Sequence, residues 1–431
     1  LAQARTPFDR PEWWALLARY CGLTPCIALY PAGERAVVWP LASDGKTAIA
    51  LANFYSFTAR PLTARPEALS EGLLAIARDL RGRFARVRLD HVPNECGEAA
   101  AVHAALEQAG WSVRGMQDDT NHVLDLAGRN YDAYLAARPG RLRTTLARKA
   151  SKLRTHVRRA PGAGDWEHYE RIYAASWKPE EASQAFWQAF CHREADAGRL
   201  RFGMAYKDDE PVAAQIWTVE HGTAFIHKLA HLPGFDHLSP GTVLTAALMR
   251  HAIDDDRVAM VDFGTGDDRY KRDWMERQRP RYRIDALDPA RPANRPRIAK
   301  RAVQARLVGA EKPRYRRADT ADGASMAATT ANDVTPVSPN TASADDAIDT
   351  RLRAVLADVL GLDAERVAAF DADTGLFGHL PELDSQAVAT LLTEIEDRFG
   401  IVIDDEDVDG EMLETYGGLR SFVRAKCDAA A

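Results

Sequence analysis

Apolar residues recur along this chain in two rhythms that take turns. Residues 11–20, 67–80 and 98–109 carry them three and four apart, the spacing of a helix face, whereas 27–30, 36–39, 48–51 and 86–89 are short apolar runs or alternations of strand type. Further strands are predicted at 111–113 and 122–126. The alternation then starts again, with helices at 131–137, 142–158, 166–177 and 181–197, strands at 200–206, 211–220 and 222–232, a helix at 241–253 and a strand at 259–263. Two α+β rounds without direct repetition predict a duplicated fold with mixed central sheets.

Between residues 318 and 346 the pattern stops. The stretch is rich in Ala, Thr, Ser, Asp and Pro, has no aromatic residue and no apolar period, and is expected to be a flexible linker. At roughly 5 to 6 Å times the square root of its length, its r.m.s. span is on the order of 30 Å. Helical patterns return at 351–360, 385–399 and 418–426, so the end of the chain reads as all-α. The expected division is 1–127, 128–315, a linker at 316–346 and a last domain at 347–431.

Charge sharpens that division. The 431 residues carry a formal net charge of −6, but from Asp345 onward 21 Asp plus Glu face 7 Lys plus Arg, a net of −14, which leaves residues 1–344 at +8. An acidic module tethered to a basic one favours contact between them or with an anionic ligand. Residues 138–159 hold nine Arg plus Lys and no acid. The run lacks aromatic residues that would stack bases, so docking of the acidic module or of a phosphate it bears is weighed against a merely solvated face; RNA stays open and DNA is not expected. Five cysteines without zinc-like or paired redox spacing, and no apolar run of about 18 residues, lead to the expectation of a cytoplasmic protein with no membrane span and no metal site.

Candidate chemistry first comes from the run GHLPELDSQAV at 378–388. Asp384 is a good N-cap for a helix whose Val388, Leu391, Leu392, Ile395 and Phe399 form one apolar stripe, which puts Ser385 at an exposed helix N-terminus. This run and its acidic surroundings resemble an acyl carrier protein over 347–428, most closely the carriers of exosortase A (PEP-CTERM) exopolysaccharide loci, although Gln386 stands where the usual motif has Leu. The resemblance implies a four-helix bundle with 4′-phosphopantetheine held covalently by Ser385 beside Asp384. It also implies a phosphopantetheinyl transferase and an acyl-loading enzyme as partners.

Residues 128–290 resemble the GNAT acyltransferases, in the subgroup allied to CelD and the Fem peptidyltransferases. The resemblance rests on Leu238-Ser239-Pro240-Gly241-Thr242 before a helix and on Asp262-Phe263-Gly264-Thr265-Gly266-Asp267-Asp268-Arg269-Tyr270-Lys271 after the next strand. It implies two parallel strands that splay apart, with the acyl-pantetheine between them and its phosphate at Ser239, Gly241 and Thr242, where helix N–H groups hold an anion. Tyr270 is then the candidate acid, and Asp262 or His227 the candidate base, acting directly or through water. Lys271 is a candidate contact to a phosphate or an acceptor carboxylate, and Arg148, Lys149 and Lys152 are candidates for carrier docking. Residues 1–127 resemble a degraded GNAT round of structural role, with Phe54, Tyr55 and Phe57 walling an acceptor pocket.

Together the resemblances imply an N-acyltransferase. Its acyl group, fatty or other, would come from phosphopantetheinyl Ser385 of the same or a neighbouring chain and pass to the amine of a small acceptor. By resemblance to acyl amino acid synthases that acceptor is expected to be an amino acid, with lysine as a candidate. The alternatives are acylation of an exopolysaccharide precursor sugar, a tRNA-dependent Fem-like transfer, and an inert scaffold that delivers acyl carrier to another enzyme.

Overall fold

The computed structural model describes residues 4–176, 183–299, 301 and 315 and, toward the C-terminus, 344–360, 362–376, 380, 383, 391–392, 394–395, 398–399, 401, 412 and 414–430. It divides into two compact units, Leu1–Gly323 and Ala324–Ala431.

The first unit begins with α1 (Pro11–Tyr20), which opens on a proline at the one helical position where a missing N–H costs nothing and buries Trp13, Trp14, Leu16 and Leu17. Strands β1 (Thr24–Tyr30), β2 (Val37–Asp44), β3 (Thr47–Ala50) and β4 (Leu62–Thr63) follow, then α2 (Leu69–Arg83), β5 (Arg86–Val92), α3 (Glu98–Gln108) and β6 (Ser112–Asp125). The second round comprises α4 (Tyr131–Ala136), α5 (Gly140–Lys149), β7 (Arg154–Arg158), α6 (Asp165–Ala175), α7 (Gln184–Asp196), β8 (Leu200–Lys207), β9 (Glu210–Glu220) and β10 (Thr223–His231). It closes with α8 (Pro240–Arg250), β11 (Met260–Thr265), α9 (Arg269–Trp274) and β12 (Arg277–Leu287). Strand β9 is buried along nearly its whole length because helices cover both faces, and it turns into β10 through His221 and Gly222, both at positive φ, as a two-residue hairpin requires.

All twelve strands join one sheet, ordered β1-β2-β3-β5-β12-β6-β11-β10-β9-β8-β7 with β4 beside β2. Every pairing is antiparallel except β3 with β5 and β10 with β11. The two rounds therefore do not build separate sheets. β12, from the second round, lies between β5 and β6, while β6, from the first round, pairs with β11 of the second. Each round completes the other's sheet with its last strand. Three cores follow from this layout. One lies under α5 and α8, one under α2 and α3, and the third joins α1 to α6 and α7 across both rounds.

Three expectations need correction. The helix predicted over 142–158 ends at Lys149, and 154–158 is an edge strand paired with β8, because Thr155 and Val157 alternate with charged residues in strand fashion. The short strands at 111–113 and 122–126 are parts of one fourteen-residue strand, β6. β12 was not expected at all.

In the second unit, helices Ala344–Leu360, Ala364–Ala368 and Tyr416–Ala430 are described, and residues 391, 392, 394, 395, 398 and 399 are helical. Leu352, Val355, Leu356, Leu391, Ile395, Tyr416, Leu419 and Val423 are among its core. The Arg353 guanidinium donates to the carbonyls of Val367 (2.6 Å) and Phe370 (3.0 Å), fixing the turn after the second helix onto the first. Asp384 and Ser385 lie outside the described residues; Leu383, just before them, is buried in this core.

Candidate active site

Strands β10 and β11 run in parallel for three residue pairs only, from Thr223 opposite Met260 to Phe225 opposite Asp262. Beyond Phe225 the strands part. A bulge between Ile226 and Lys228 turns β10 along β9, and β11 continues beside β6 to Thr265 opposite Asn121. The resulting split is where the candidate residues collect.

On one face, Asp262 is buried, with Oδ1 accepting from Asn121 Nδ2 at 2.7 Å and from the Gly264 amide at 2.8 Å. Asn121 is oriented in turn by Arg281, whose Nη2 donates to Asn121 Oδ1 at 2.8 Å. Arg281 is 1% exposed and also donates to Glu95 Oε1 (2.6 Å) and to the Phe57 carbonyl (3.1 Å). Burial raises the Asp262 pKa above the ordinary carboxylate value, only partly offset by Asn121 and Arg281. Gly264 is at φ +74°, and a Cβ there would sit 2.8 Å from the Phe57 ring, so only glycine lets the strand reach this wall. Of the three aromatics proposed for a pocket wall, Phe57 and Tyr55 are buried, and Phe54 is 88% exposed.

Alternation along β11 sends Val261 and Phe263 to the other face, into the core under α8. Tyr270, in the first turn of α9, packs edge-on against Phe263 at 5.6 Å. Asp262 and Tyr270 therefore flank the split from opposite faces. Loss of water around its hydroxyl, with the Asp268 charge, pushes Tyr270 above the usual tyrosine value although 41% of the residue stays exposed, and it is a protonated phenol at neutral pH.

On Tyr270's face of the sheet stands the start of α8. Ser239, in the left-handed region at φ +49°, precedes Pro240, and the amides of Gly241 and Thr242 have no acceptor inside the helix. Lys149, at the end of α5, donates from Nζ to Ser239 Oγ at 2.8 Å. Gln215 Nε2 donates to the Gly241 carbonyl (3.1 Å) and to Thr245 Oγ1 (2.7 Å), fixing this turn on β9. An ammonium group, free amides and a helix dipole converge here, and they suit a phosphate such as that of a pantetheine arm. Arg148 and Lys152, also expected at a docking surface, are exposed nearby in sequence.

Two expected roles are corrected. Lys271 is buried and spends its ammonium on the carbonyls of Thr265 and Gly266 and on Asp268 (3.0 Å), so it holds the 265–268 loop and is not free for a phosphate or a substrate carboxylate. His227 sits at the bulge among Phe8, Trp13, Phe57 and Phe190, with Nε2 against Thr218 Oγ1 at 2.8 Å. Burial pushes its pKa down to about 3, which leaves it neutral and too weak to retain an amine's proton.

Sequence reasoning missed the contribution of the first round. Asn121 comes from β6, as does buried His122, whose Nε2 lies 2.9 Å from Asp267 Oδ1. The signal was present as a polar Asn-His pair just ahead of Val123 and Leu124. Asp119 accepts from the Gly266 amide at 2.9 Å, and Gln117, Asp118, Asp119, Thr120 and Asp267 line an acidic recess of about 320 Å³. Among the described residues no cluster suited to a metal ion occurs, and no helix is long and apolar enough to cross a membrane.

Comparison with known proteins agrees with this geometry. Residues 129–272 match the acetyltransferase (GNAT) domain family, and residues 350–424 match the phosphopantetheine attachment site family. Among solved structures, FemX is similar over 68% of this chain and 95% of its own, at 11% identity and a TM-score of 0.51, a likeness of fold. A tandem GNAT protein from the clavulanic acid biosynthesis pathway matches over 66% of this chain and 90% of its own (13% identity, TM-score 0.40). The holo acyl carrier protein of Nitrosomonas europaea matches over 19% of this chain and 95% of its own (37% identity, TM-score 0.18). The chain is thus an acyltransferase in which a GNAT domain is joined to a C-terminal domain that carries phosphopantetheine.

Proposed function

We propose that the protein is an N-acyltransferase that takes an acyl group from phosphopantetheinyl Ser385, of its own or a neighbouring chain, and places it on the amine of an amino acid. The observation that carries this reading is the split between β10 and β11, with a buried carboxylate of raised pKa on one face and a phenol on the other. When bound, the prosthetic group supplies the acyl thioester and leaves as a thiol. Lys149, Ser239, Gly241 and Thr242 hold its phosphate. Asp262 takes the proton that the amine loses as its nitrogen bonds to the acyl carbon, and the Tyr270 hydroxyl gives a proton to the sulfur as the C–S bond breaks. Positioning at the split accounts for most of the rate, and acid and base add about 10² to 10⁴-fold. Of the carboxylates that line the acidic recess, Asp118 is paired with Arg283 and Asp267 with Arg272, so it is Asp119 that favours an acceptor with a second positive charge, which supports lysine. Arg148 and Lys152 present the exposed cations that an acidic acyl carrier would meet.

The test is to co-produce the chain with a phosphopantetheinyl transferase, load it with acyl chains of several lengths, add the twenty amino acids, and follow intact mass and released amides. Loss of acyl mass with appearance of one acyl amino acid is expected, and Ser385→Ala abolishes it. A stably acylated protein, or full activity of Ser385→Ala with no added carrier or thioester, refutes the reading.

A further inference from the structure

The central strands present a second charged surface that acyl transfer does not use. One face of β5, β12 and β6 packs Val87, Leu89, Ile284 and Ala286 under α2 and α3. The opposite face carries arginines. Arg88 on β5 and Arg114 on β6 are the cross-strand neighbours of Asp285 on β12, and Arg88 Nε pairs with Asp90 at 3.2 Å. Arg86 binds Asp285 through Nε (2.8 Å) and Nη2 (2.9 Å), and Arg301 donates to the Asp285 backbone carbonyl (3.2 Å) and to its carboxylate. Burial alone would raise the Asp285 pKa, but Arg86 and Arg301 hold it below the ordinary range, so it stays charged and orders the guanidinium groups around it. Arg283 completes the wall and is tied to Asp90 and to Asp118 (2.9 Å).

These five arginines, with Met116 as an apolar contact, enclose a recess of about 290 Å³. Counting Asp285, Asp90 and Asp118 against them still leaves the face positive. Arg114 is exposed and makes no ion pair among the described residues. Asp285 offsets its direct cross-strand neighbours Arg88 and Arg114, so the strands tolerate the row, and the cations left over after these pairs give the face its positive charge. Guanidinium forks match phosphate oxygens bidentately, and several of them around one recess suit a multiply charged anion better than a single carboxylate.

We propose that this recess is an anion-binding site separate from the transfer centre, and that it takes the phosphate or diphosphate group of a soluble small molecule. The site stands whether or not the acyl-transfer reading holds.

Calorimetric titration of the full chain with inorganic pyrophosphate at low ionic strength tests it. The start of α8 is a rival anion site, so Lys149→Ala separates the two. Saturable binding is expected, weakened about tenfold or more by Arg114→Glu and less by Arg114→Gln, while Lys149→Ala retains it. Both Arg114 variants alter an exposed side chain with no ion pair among the described residues, and an unchanged melting temperature checks that they fold. Absence of saturable binding, or equal affinity in Arg114→Glu, overturns the proposal. So does Arg114-dependent binding to anionic lipid vesicles without pyrophosphate binding, which would point to a membrane surface.

Discussion

Asp262 is a buried acid whose charge the protein tolerates at a cost. Its proton is held more tightly in the folded than in the unfolded chain, so stability falls as pH rises from the ordinary carboxylate pKa through the raised one. If Asp262 is the base as proposed, activity is expected to have the opposite slope, with kcat/KM rising with pH along a limb lying above the ordinary value of about 3.9. Asp262→Asn keeps an acceptor for Asn121 and Gly264. It should lose about 10² to 10⁴ in kcat/KM together with that limb, yet melt no lower than the parent at pH 8. A variant that kept both rate and limb would remove Asp262 from the chemistry. Tyr270→Phe is expected to slow transfer and leave carrier loading intact, read by single-turnover mass spectrometry. At this scale the sequence was informative about placement, since Asp262, Gly264 and Tyr270, near one another in the chain, also lie together beside the split. It misled where burial decides, since nothing local says that His227 is walled by aromatics or that Lys271 turns inward.

Among the elements, β12 was the least legible, and the reason is physical. Its first residues read Arg-Gln-Arg-Pro-Arg-Tyr-Arg, a charged run with a proline, which argues against a central strand. The strand nevertheless lies between β5 and β6. Pro280 faces Thr120 just before a bulge between Arg281 and Tyr282, where the ladder is already irregular, and Arg281 is buried because Asn121, Glu95 and the Phe57 carbonyl take its hydrogen bonds. α1 and β9, by contrast, were plain from their apolar pattern, because α1 buries one face in a single core and β9 is covered by a core on each face. The buried guanidinium makes a test. Arg281→Met removes the donor that orients Asn121 and leaves Glu95 without its 2.6 Å partner, and losing one side of such a pair costs about 3 to 5 kcal/mol. Urea unfolding should show that loss. A variant as stable as the parent would mean that the Asn121–Arg281–Glu95 chain contributes specificity and not stability.

For the whole molecule, the exchange of β6 and β12 changes what the duplication means. Two rounds were legible in the sequence and a division near residue 127 was expected from them, but the strands of both rounds share one sheet within a single compact unit. Residues 1–127 lack β12, which covers the edge of β5, and residues 128–315 lack β6, which covers the edge of β11 and supplies Asn121 to Asp262. Each half alone would expose long unpaired strand edges and the shared core of α1, α6 and α7, surfaces that drive aggregation. Produced separately, 1–127 and 128–315 are therefore expected to give no cooperative thermal transition, whereas produced together they should co-purify in equal amounts and melt as one. A monomeric 128–315 fragment with a sharp melt and full transferase rate would sink this view and return the first round to a purely structural role. If instead only the reassembled pair is active, the duplication has been kept because one half positions the base that the other half carries.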